Sequence, residues 1–411
     1  MKSRLSSFVL ALACLVLSNA CSHATKSSSS AQSQASDTKK DLNNFTQVNL
    51  VANRAEFKPE IVEPQMQNAW GLADRPAGLG GHFWVTAQKT GTSLEYVGDV
   101  GSTKIFQDNL KTVDLIDHSK PDSPTGVVFN PAKQFLIDQP SPSGNFRSES
   151  KFIFATDTGK LYGWAEKKNE DGTVNRPPTA VLKVDNQKRG DQYFGLGIDS
   201  KGEKLFAADF GVKPQLRIFD SQFKEIKLRK DQFQNPFIKG RFSKAGELSP
   251  YNVQVLQLKG EDQVFVGFAE IEKNPKTGKL EHGEEQKGPG LGRVVQYNLE
   301  GQMIRIWADK GLLNAPWGMA IAPANGFGKF SGCLLVANFG DGSLVAFDPN
   351  TFEAIDYLQS NGKKIQIDGL WALMFGNGAS LGESSHLYFT AGPNDETDGI
   401  FGKLKLETSN K

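Results

Sequence analysis

The sequence predicts an all-β protein, a single six-bladed β-propeller. The first observation is a short phrase, an aromatic residue followed by one with little side chain, that recurs six times at intervals of about 60 residues. The second is the apolar, β-rich run that follows every copy of this phrase. The third is a composition with 42 Gly and 19 Pro, which suits many short strands joined by tight turns.

The recurring phrase predicts the innermost strand of each blade. Its aromatic position is taken once by a threonine, and the copies are "NAWGLA" (68–73), "SPTGVVF" (123–129), "YFGLGID" (193–199), "PYNVQVL" (250–256), "APWGMAI" (315–321) and "LWALMFG" (370–376). Strands crowd together near a propeller axis, so we expect a small side chain after the aromatic position. The fourth copy departs from this rule with Asn252.

Two further strands follow each inner strand in the predicted blade. The second strands are "HFWVTA", "KFIFAT", "KLFAAD", "QVFVGF", "CLLVAN" and "HLYFTA", and Gly- and Asp-rich turns such as "TDTG" and "NFGDG" separate them from the third. The blades then span approximately 68–106, 123–168, 193–226, 249–307, 314–358 and 367–407, within a propeller domain over 45–411.

A strand-like segment over 45–53 precedes the first blade and has no blade of its own. We expect it to pair with the last strand of the sixth blade, "FGKLKLE" (401–407), because this pairing replaces two open sheet edges with hydrogen bonds. The segment is therefore predicted to be the closing strand of the ring.

The chain resembles an exported bacterial conserved-hypothetical family of six-bladed β-propellers, and more loosely the NHL-repeat propellers. The phrases that carry the resemblance run in order from about residue 47 to the C-terminus and include "NAPWGMAIAP", "ANFGDGSLVAFDP" and "LYFTAGPNDETDGIFG". The resemblance implies a fold but no activity, since the family has none agreed. The chain departs from the family in "WALMFGNG" and in the insertion 270–290, which we expect to be a charged loop of the fourth blade.

The N-terminus has the features of an export signal. Lys2 and Arg4 precede an apolar run that is too short for a permanent membrane helix, which predicts a signal peptide over 1–20. Cleavage after Ala20 by ordinary signal peptidase and lipidation of Cys21 in a lipobox-like "LSNAC" are both compatible with the sequence. The Ser-rich stretch 21–44 is a flexible tether, which favours the lipoprotein. We expect a cell-envelope lipoprotein in the periplasm or outer membrane, held to the membrane by the lipid anchor alone.

Charge and cysteine content exclude some classes of protein. The formal net charge is +1, so no overall field attracts nucleic acid and we expect no nucleic-acid partner. Cys333 is the only cysteine of the predicted domain and lies in an apolar run, which predicts a buried thiol and a fold without disulfides. We expect a monomer.

The first candidate site is the mouth of the central channel. The residues that lead into the inner strands are expected to ring this mouth and to bind an apolar or sugar-like ligand: Trp70, Phe194, Tyr251, Asn252, Trp317 and Trp371. The alternative is that the large aromatic side chains wedge between the blades as core.

The second candidate site is a divalent-cation site. Carboxylates and amides follow the second strand of several blades, and such oxygen ligands suit Ca²⁺: Asp157, Asp209, Asn338, Asp341, Asn394, Asp395 and Asp398. The resemblance to six-bladed lactonases, which hold a cation near the axis, implies the same arrangement. The alternative is ordinary turn chemistry, since Asp and Asn also favour turns for local reasons.

Three functional hypotheses follow. The leading one is a binding or scaffold protein whose channel mouth takes a small molecule, a glycan or an envelope protein. The alternative is a divalent-metal-dependent hydrolase of the lactonase type, in which the cation polarises a carbonyl. A third is partner recognition through the rim loops, including 270–290. No C-x-x-C-H motif for haem and no paired cysteines for zinc are present.

Overall fold

The computed structural model describes residues 42–407. The predicted signal peptide, Cys21 and nearly all of the tether lie outside the described residues. Within 42–407, no helix has the length and apolar character needed to cross a membrane.

Six antiparallel sheets of three to five strands form the blades of a propeller. The inner strands are Ala69–Ala73, Pro124–Phe129, Tyr193–Ile198, Leu248–Leu258, Pro316–Ile321 and Leu370–Phe375. The second strands are Phe83–Ala87, Phe152–Thr156, Lys204–Asp209, Glu261–Lys273, Leu334–Asn338 and Leu387–Ala391. The third strands are Thr92–Tyr96, Lys160–Trp164, Gln215–Asp220, Arg293–Tyr297, Leu344–Phe347 and Ile400–Leu406. The fold class predicted from the repeats is confirmed.

The outer strands complete five of the blades. They are Thr112–Asp114, Val181–Asp185, Met303–Ile306, Ala354–Tyr357 and, in the sixth blade, Phe45–Ala52. The third blade has three strands, with one bridge between Phe219 and Glu225 at its outer edge.

The N-terminal strand closes the ring, as predicted. Phe45–Ala52 runs antiparallel to Ile400–Leu406, with Phe45 opposite Leu406 and Ala52 opposite Ile400, and a bulge near Leu50. The short strand Ile61–Val62 extends this sheet by pairing in parallel with Phe45–Ala52. The sixth blade thus joins both ends of the propeller and leaves no open edge between them.

The remaining elements are short. The strands outside the four-stranded pattern are Ile116–Asp117, Lys120–Pro121, Leu136–Gln139, Phe146–Glu149, Lys167–Lys168, Val174–Asn175, Leu280–Glu285, Gln359–Ser360 and Lys363–Lys364. The helical elements are single turns at Ala55–Phe57, Gln187–Arg189, Gly328–Phe330 and Pro393–Glu396.

The insertion 270–290 is more regular than the charged loop predicted from sequence. The second strand of the fourth blade continues to Lys273, and Leu280–Glu285 pairs back onto it. Ile271 and Glu285 of this hairpin are buried, which holds the hairpin against the rest of the domain. The prediction of a loop was wrong because the high charge density of this segment is also typical of a solvated loop.

Close approach of neighbouring inner strands explains the small residue in the repeated phrase. A Cβ atom on Gly71 would lie 2.3 Å from the carbonyl oxygen of Thr125 in the next blade, and one on Gly318 would lie 2.3 Å from the carbonyl oxygen of Trp371. Both distances are well below van der Waals contact. A larger residue at these positions would force the blades apart.

Side-chain hydrogen bonds to inner-strand carbonyls also join the blades. Thr86 Oγ1 donates to Thr125 O at 2.7 Å, and Thr125 Oγ1 donates to Tyr193 O at 2.5 Å. Asn252 Nδ2 donates to Trp317 O at 2.5 Å, so the one polar residue at the small position ties the fourth blade to the fifth.

The apolar core lies between the blades rather than in one central layer. Cys333 belongs to the cluster between the fifth and sixth blades, and its thiol is buried as predicted. Burial raises the pKa of the Cys333 thiol to about 11.

Candidate functional site

All six inner strands run in the same direction along the axis, so the two ends of the central channel differ. We call the end where the inner strands begin the entry end and the opposite end the exit end. Successive strands of each blade are antiparallel, so the turns between second and third strands also lie at the entry end. This is where sequence analysis places both candidate sites.

Aromatic side chains fill the channel near the entry end. We call them the aromatic plug: Trp70, Phe194, Phe210, Tyr251, Trp317, Phe339 and Trp371. Trp371 lies between Trp70 and Phe339, with ring centroids at 3.8 and 3.9 Å. Phe194 meets Trp70 edge-on at 5.1 Å, and Trp317 meets Trp371 edge-on at 5.7 Å. Stacked and edge-on pairs of this kind stabilise beyond their buried area.

The structure brings the predicted aromatic residues together, but as packing. Tyr251 and Trp371 are fully buried, and the most exposed of the predicted set, Trp317, has 4% of its surface accessible. The side chain of Asn252 is occupied by Trp317 O and by its own neighbour Val253 N. These side chains therefore leave little surface for a ligand. A ligand at the entry end would instead contact the polar side chains that lie over the aromatic plug.

A hydrogen-bonded network of polar side chains lies over the plug and crosses three blades. Trp371 Nε1 donates to Asn68 Oδ1 at 2.9 Å, and Asn68 Nδ2 donates to Glu396 Oε2 at 2.7 Å. Asn68 Nδ2 also approaches Gln88 Oε1 at 3.3 Å, and Gln88 Nε2 donates to Asp157 Oδ2 at 2.7 Å. The network fixes the orientation of two carboxylates at the entry end.

A third buried carboxylate comes from the insertion of the fourth blade. Tyr251 Oη donates to Glu285 Oε2 at 2.8 Å, so the aromatic plug holds this carboxylate directly. Burial raises the pKa of Glu285 to about 7, against the weaker opposing effects of Lys287 and of the hydrogen bond from Tyr251.

Burial also raises the pKa values of the two networked carboxylates. The pKa of Asp157 rises to about 6, and that of Glu396 lies above its ordinary value although Lys89 opposes the shift. Of these three carboxylates, Glu396 also lines a cavity. Carboxyl groups with raised pKa values in concave regions are a feature of binding and catalytic sites.

A cavity of about 400 Å³ opens at the entry end beside this network, and we call it the entry pocket. Its charged lining consists of Lys287, Asp341, Asp368, Asp395 and Glu396. The Lys287 ammonium lies 4.5 Å from the ring centroid of Phe339, a cation–π contact that leaves no face of that ring free for stacking. The entry pocket is therefore polar, with four carboxylates and one ammonium group.

The turn that carries Glu396 has an unusual backbone. Asn394, Asp395 and Glu396 have φ values of 57°, 51° and 61° in succession. Consecutive non-glycine residues in the left-handed region cost roughly 1–2 kcal/mol each, and such conformations concentrate at functional sites. The strained turn places Asp395 and Glu396 in the entry pocket.

The predicted cation ligands remain close to their own turns. Asp209 Oδ2 pairs with Arg217 at 2.8 Å, and Asp341 Oδ2 pairs with Lys364 at 2.7 Å. Asn338 Nδ2 donates to Leu312 O at 2.8 Å.

Two more of these residues are bound to each other, since Asn394 Nδ2 donates to Asp398 Oδ2 at 2.7 Å. Asp157 belongs to the network over the plug, and Asp395 lines the entry pocket. The structure does not bring the predicted metal residues together, because most are engaged within their blades. Over residues 42–407, no three His, Cys, Asp or Glu side chains are placed to hold one metal ion.

Sequence reasoning missed the residues that shape the entry pocket and its network. Asn68 stands in the repeated phrase but precedes its aromatic position, and Gln88 follows a second strand as the predicted acids do. Glu285 and Lys287 lie in the insertion that looked like a solvated loop, and Glu396 lies in "PNDETDG" beside the predicted ligands. Their position relative to the strands could have identified them, because polar residues directly before an inner strand or after a second strand meet at the entry end.

No family model matches the chain. It is similar to two uncharacterised proteins of Acanthamoeba polyphaga mimivirus: one is 25% identical over 86% of this chain and 78% of its own length. The other is 25% identical over 86% of this chain and 84% of its own length. These relatives are viral, and the expected bacterial family is not confirmed.

Solved structures of similar fold include a glucose dehydrogenase, which is 13% identical and covers 89% of this chain and 100% of its own, with a TM-score of 0.45. The soluble aldose sugar dehydrogenase of Escherichia coli is 14% identical with the same coverage and a TM-score of 0.45. A protein of unknown function from Bacteroides thetaiotaomicron is 11% identical over 90% of this chain and 74% of its own, with a TM-score of 0.46.

Proposed function

We propose that this β-propeller is a binding protein of the cell envelope whose ligand occupies the entry pocket. The observation that carries the proposal is Glu396: a strained turn and a hydrogen bond from Asn68 hold its carboxylate against a cavity of about 400 Å³. That volume falls in the range of about 300–1,000 Å³ found for small-molecule sites.

The lining of the entry pocket favours a small polyhydroxylated ligand. Carboxylates accept hydrogen bonds from hydroxyl groups, and Lys287 donates them. The ring of Phe339 is covered on one side by Trp371 and on the other by Lys287, so stacking contributes little to recognition. A sugar or sugar alcohol bound through its hydroxyl groups fits this balance.

The location is part of the proposal and rests on the sequence. The signal-like segment 1–20, Cys21 and the Ser-rich tether support export and anchoring to the envelope. A propeller on such a tether would present the entry pocket to solutes outside the cytoplasm. Globomycin-sensitive processing, with a lipid-modified Cys21 in the mature protein, is the expected result, and a mature chain without lipid would contradict the anchor.

Binding is tested with a panel of neutral monosaccharides and sugar alcohols, by thermal shift and then calorimetry. At least one compound should raise the midpoint of unfolding of the wild-type protein. Glu396→Gln should weaken its binding by about tenfold or more, because a charge-assisted hydrogen bond is lost. Asp138→Asn is the matched control, since Asp138 lies on an exposed hairpin with 74% of its side chain accessible.

Two outcomes would count against the proposal. A sugar that binds wild type and Glu396→Gln equally well would move the site away from the entry pocket. Failure of the whole panel to bind would show that the ligand class is wrong.

A further inference from the structure

A second cavity of about 400 Å³ lies on the axis at the exit end, and we call it the exit cavity. Its walls come from the C-terminal halves of all six inner strands. Most of the lining residues are apolar, and half-buried ones among them are Leu72, Val128, Ile198, Val255, Ile321 and Met374. Gln254 and Gln257 add polar groups to the lining. The entry pocket and the exit cavity share no lining residue, and the aromatic plug occupies the channel near the entry end.

Asp74 is the one charged residue in this lining. It directly follows the inner strand Ala69–Ala73 of the first blade, so it lies at the exit end of the channel. The residue is half-buried and lines the cavity. Burial among apolar groups raises the pKa of Asp74 to about 7.

The carboxylate of Asp74 lacks partners of the kind that three other carboxylates near the channel or in the blades have. Glu396 accepts from Asn68, Glu285 accepts from Tyr251, and Asp209 pairs with Arg217. For Asp74, only its own backbone N–H opposes the effect of burial, and no cationic side chain among the described residues offsets it. A carboxylate in apolar surroundings without a counter-charge is a costly arrangement for the folded protein alone.

We propose that the exit cavity binds a primary aliphatic amine, with the ammonium group paired to Asp74 and the hydrocarbon chain against the inner-strand side chains. The cation supplies the counter-charge that Asp74 lacks, and the chain buries apolar surface that the cavity otherwise exposes to water. A fatty acid would place a second negative charge beside Asp74. An alcohol would leave the carboxylate without a counter-ion.

The test is calorimetric titration of the folded domain with n-octylamine, n-octanol and octanoate at pH 8. Octylamine should bind at least about tenfold more tightly than octanol, with octanoate the weakest, because a hydrogen bond to a charged partner is stronger than a neutral one. Asp74→Asn should weaken octylamine binding by a similar factor and bring it close to octanol. The exposed control Asp138→Asn should leave the affinity unchanged. Equal binding of amine and alcohol, or an unchanged affinity in Asp74→Asn, would overturn the proposal.

The position of the amine is tested without relying on a cavity-filling variant. An alkylamine with a terminal diazirine should crosslink on illumination to peptides that contain 127–129, 196–198, 255–257, 319–321 and 373–375. Crosslinks confined to the entry-end segments 339–342 and 392–396 would overturn the proposal, since the amine would then be bound by the acidic entry pocket.

Discussion

The two ends of the channel are built from the same six inner strands but differ in chemistry. At the entry end, carboxylates and amides are tied to one another and to the aromatic plug, as in Trp371–Asn68–Glu396. At the exit end, Asp74 is the single charged residue of a cavity that is lined mostly by apolar residues. The repeated strands therefore fix the position of the channel, while the residues that flank each strand give its two ends their different chemistry.

The plug makes this difference possible, and its removal should have the largest effect. Trp371→Ala is expected to destabilise the protein by about 3–5 kcal/mol, because it leaves a large cavity between Trp70 and Phe339. It also removes the donor to Asn68 and so loosens the network at the entry end. Denaturant unfolding measures the loss, and Trp371→Phe should recover a substantial part of it. Unaltered stability in Trp371→Ala would show that the rings do not pack as described.

Close contact between neighbouring inner strands keeps both ends in register. Gly71→Ala should cost on the order of 1–3 kcal/mol, since its Cβ would meet Thr125 O at 2.3 Å. The matched control is Gly240→Ala, whose Cβ would lie 3.7 Å from Phe242 O, an ordinary van der Waals contact. Thermal or urea unfolding of both variants checks the difference. An equally small loss of stability in the two variants would show that the inner strands do not lie in close contact at Gly71.

Buried carboxylates at the entry end should make stability depend on pH. Glu285 has a folded-state pKa of about 7 against an ordinary value of 4.5, so the folded protein binds more protons than the unfolded chain between these values. Stability should therefore fall as the pH rises through this window. Glu285→Gln should match wild type near pH 5 and exceed it by on the order of 1–3 kcal/mol near pH 8. A variant that is less stable at pH 8 would contradict the burial of Glu285.

At the exit end, Asp74 should also make the stability fall as the pH rises, but by a smaller amount. Burial raises the pKa of Asp74 to about 7 as well, but this residue keeps more surface accessible than Glu285 does. Asp74→Asn should gain on the order of 1 kcal/mol or less near pH 8 relative to pH 5. Urea unfolding at both pH values resolves the two variants. A larger pH-dependent gain for Asp74→Asn than for Glu285→Gln would reverse the ranking of burial at the two ends.

Most of the fold was predictable because it repeats. Trp70, Trp317 and Trp371 stand at equivalent positions, and the phrase around them marks inner strands whose small next residue the packing requires. The closing strand was predictable because an unpaired β-segment and an open last blade satisfy each other. These inferences depend on local pattern and on sheet edges, both of which the sequence displays.

The sites were less accessible to prediction, because they depend on long-range convergence. Asn68 and Glu396 are distant in sequence and meet only because the ring closes. Glu285 looked like a solvated residue, and its burial follows from a hairpin whose pairing the charge pattern concealed. The predicted acids gave the correct end of the channel, but their side chains serve turns and ion pairs that local sequence does not distinguish from ligand sets.

The separation of the two ends is tested most directly by one titration, that of n-octylamine into wild type, Asp74→Asn and Glu396→Gln at pH 8. Both ends offer carboxylates, so an amine reports which end it occupies. We expect Asp74→Asn to weaken the affinity about tenfold or more and Glu396→Gln to leave it unchanged. An affinity lost in Glu396→Gln and retained in Asp74→Asn would contradict it.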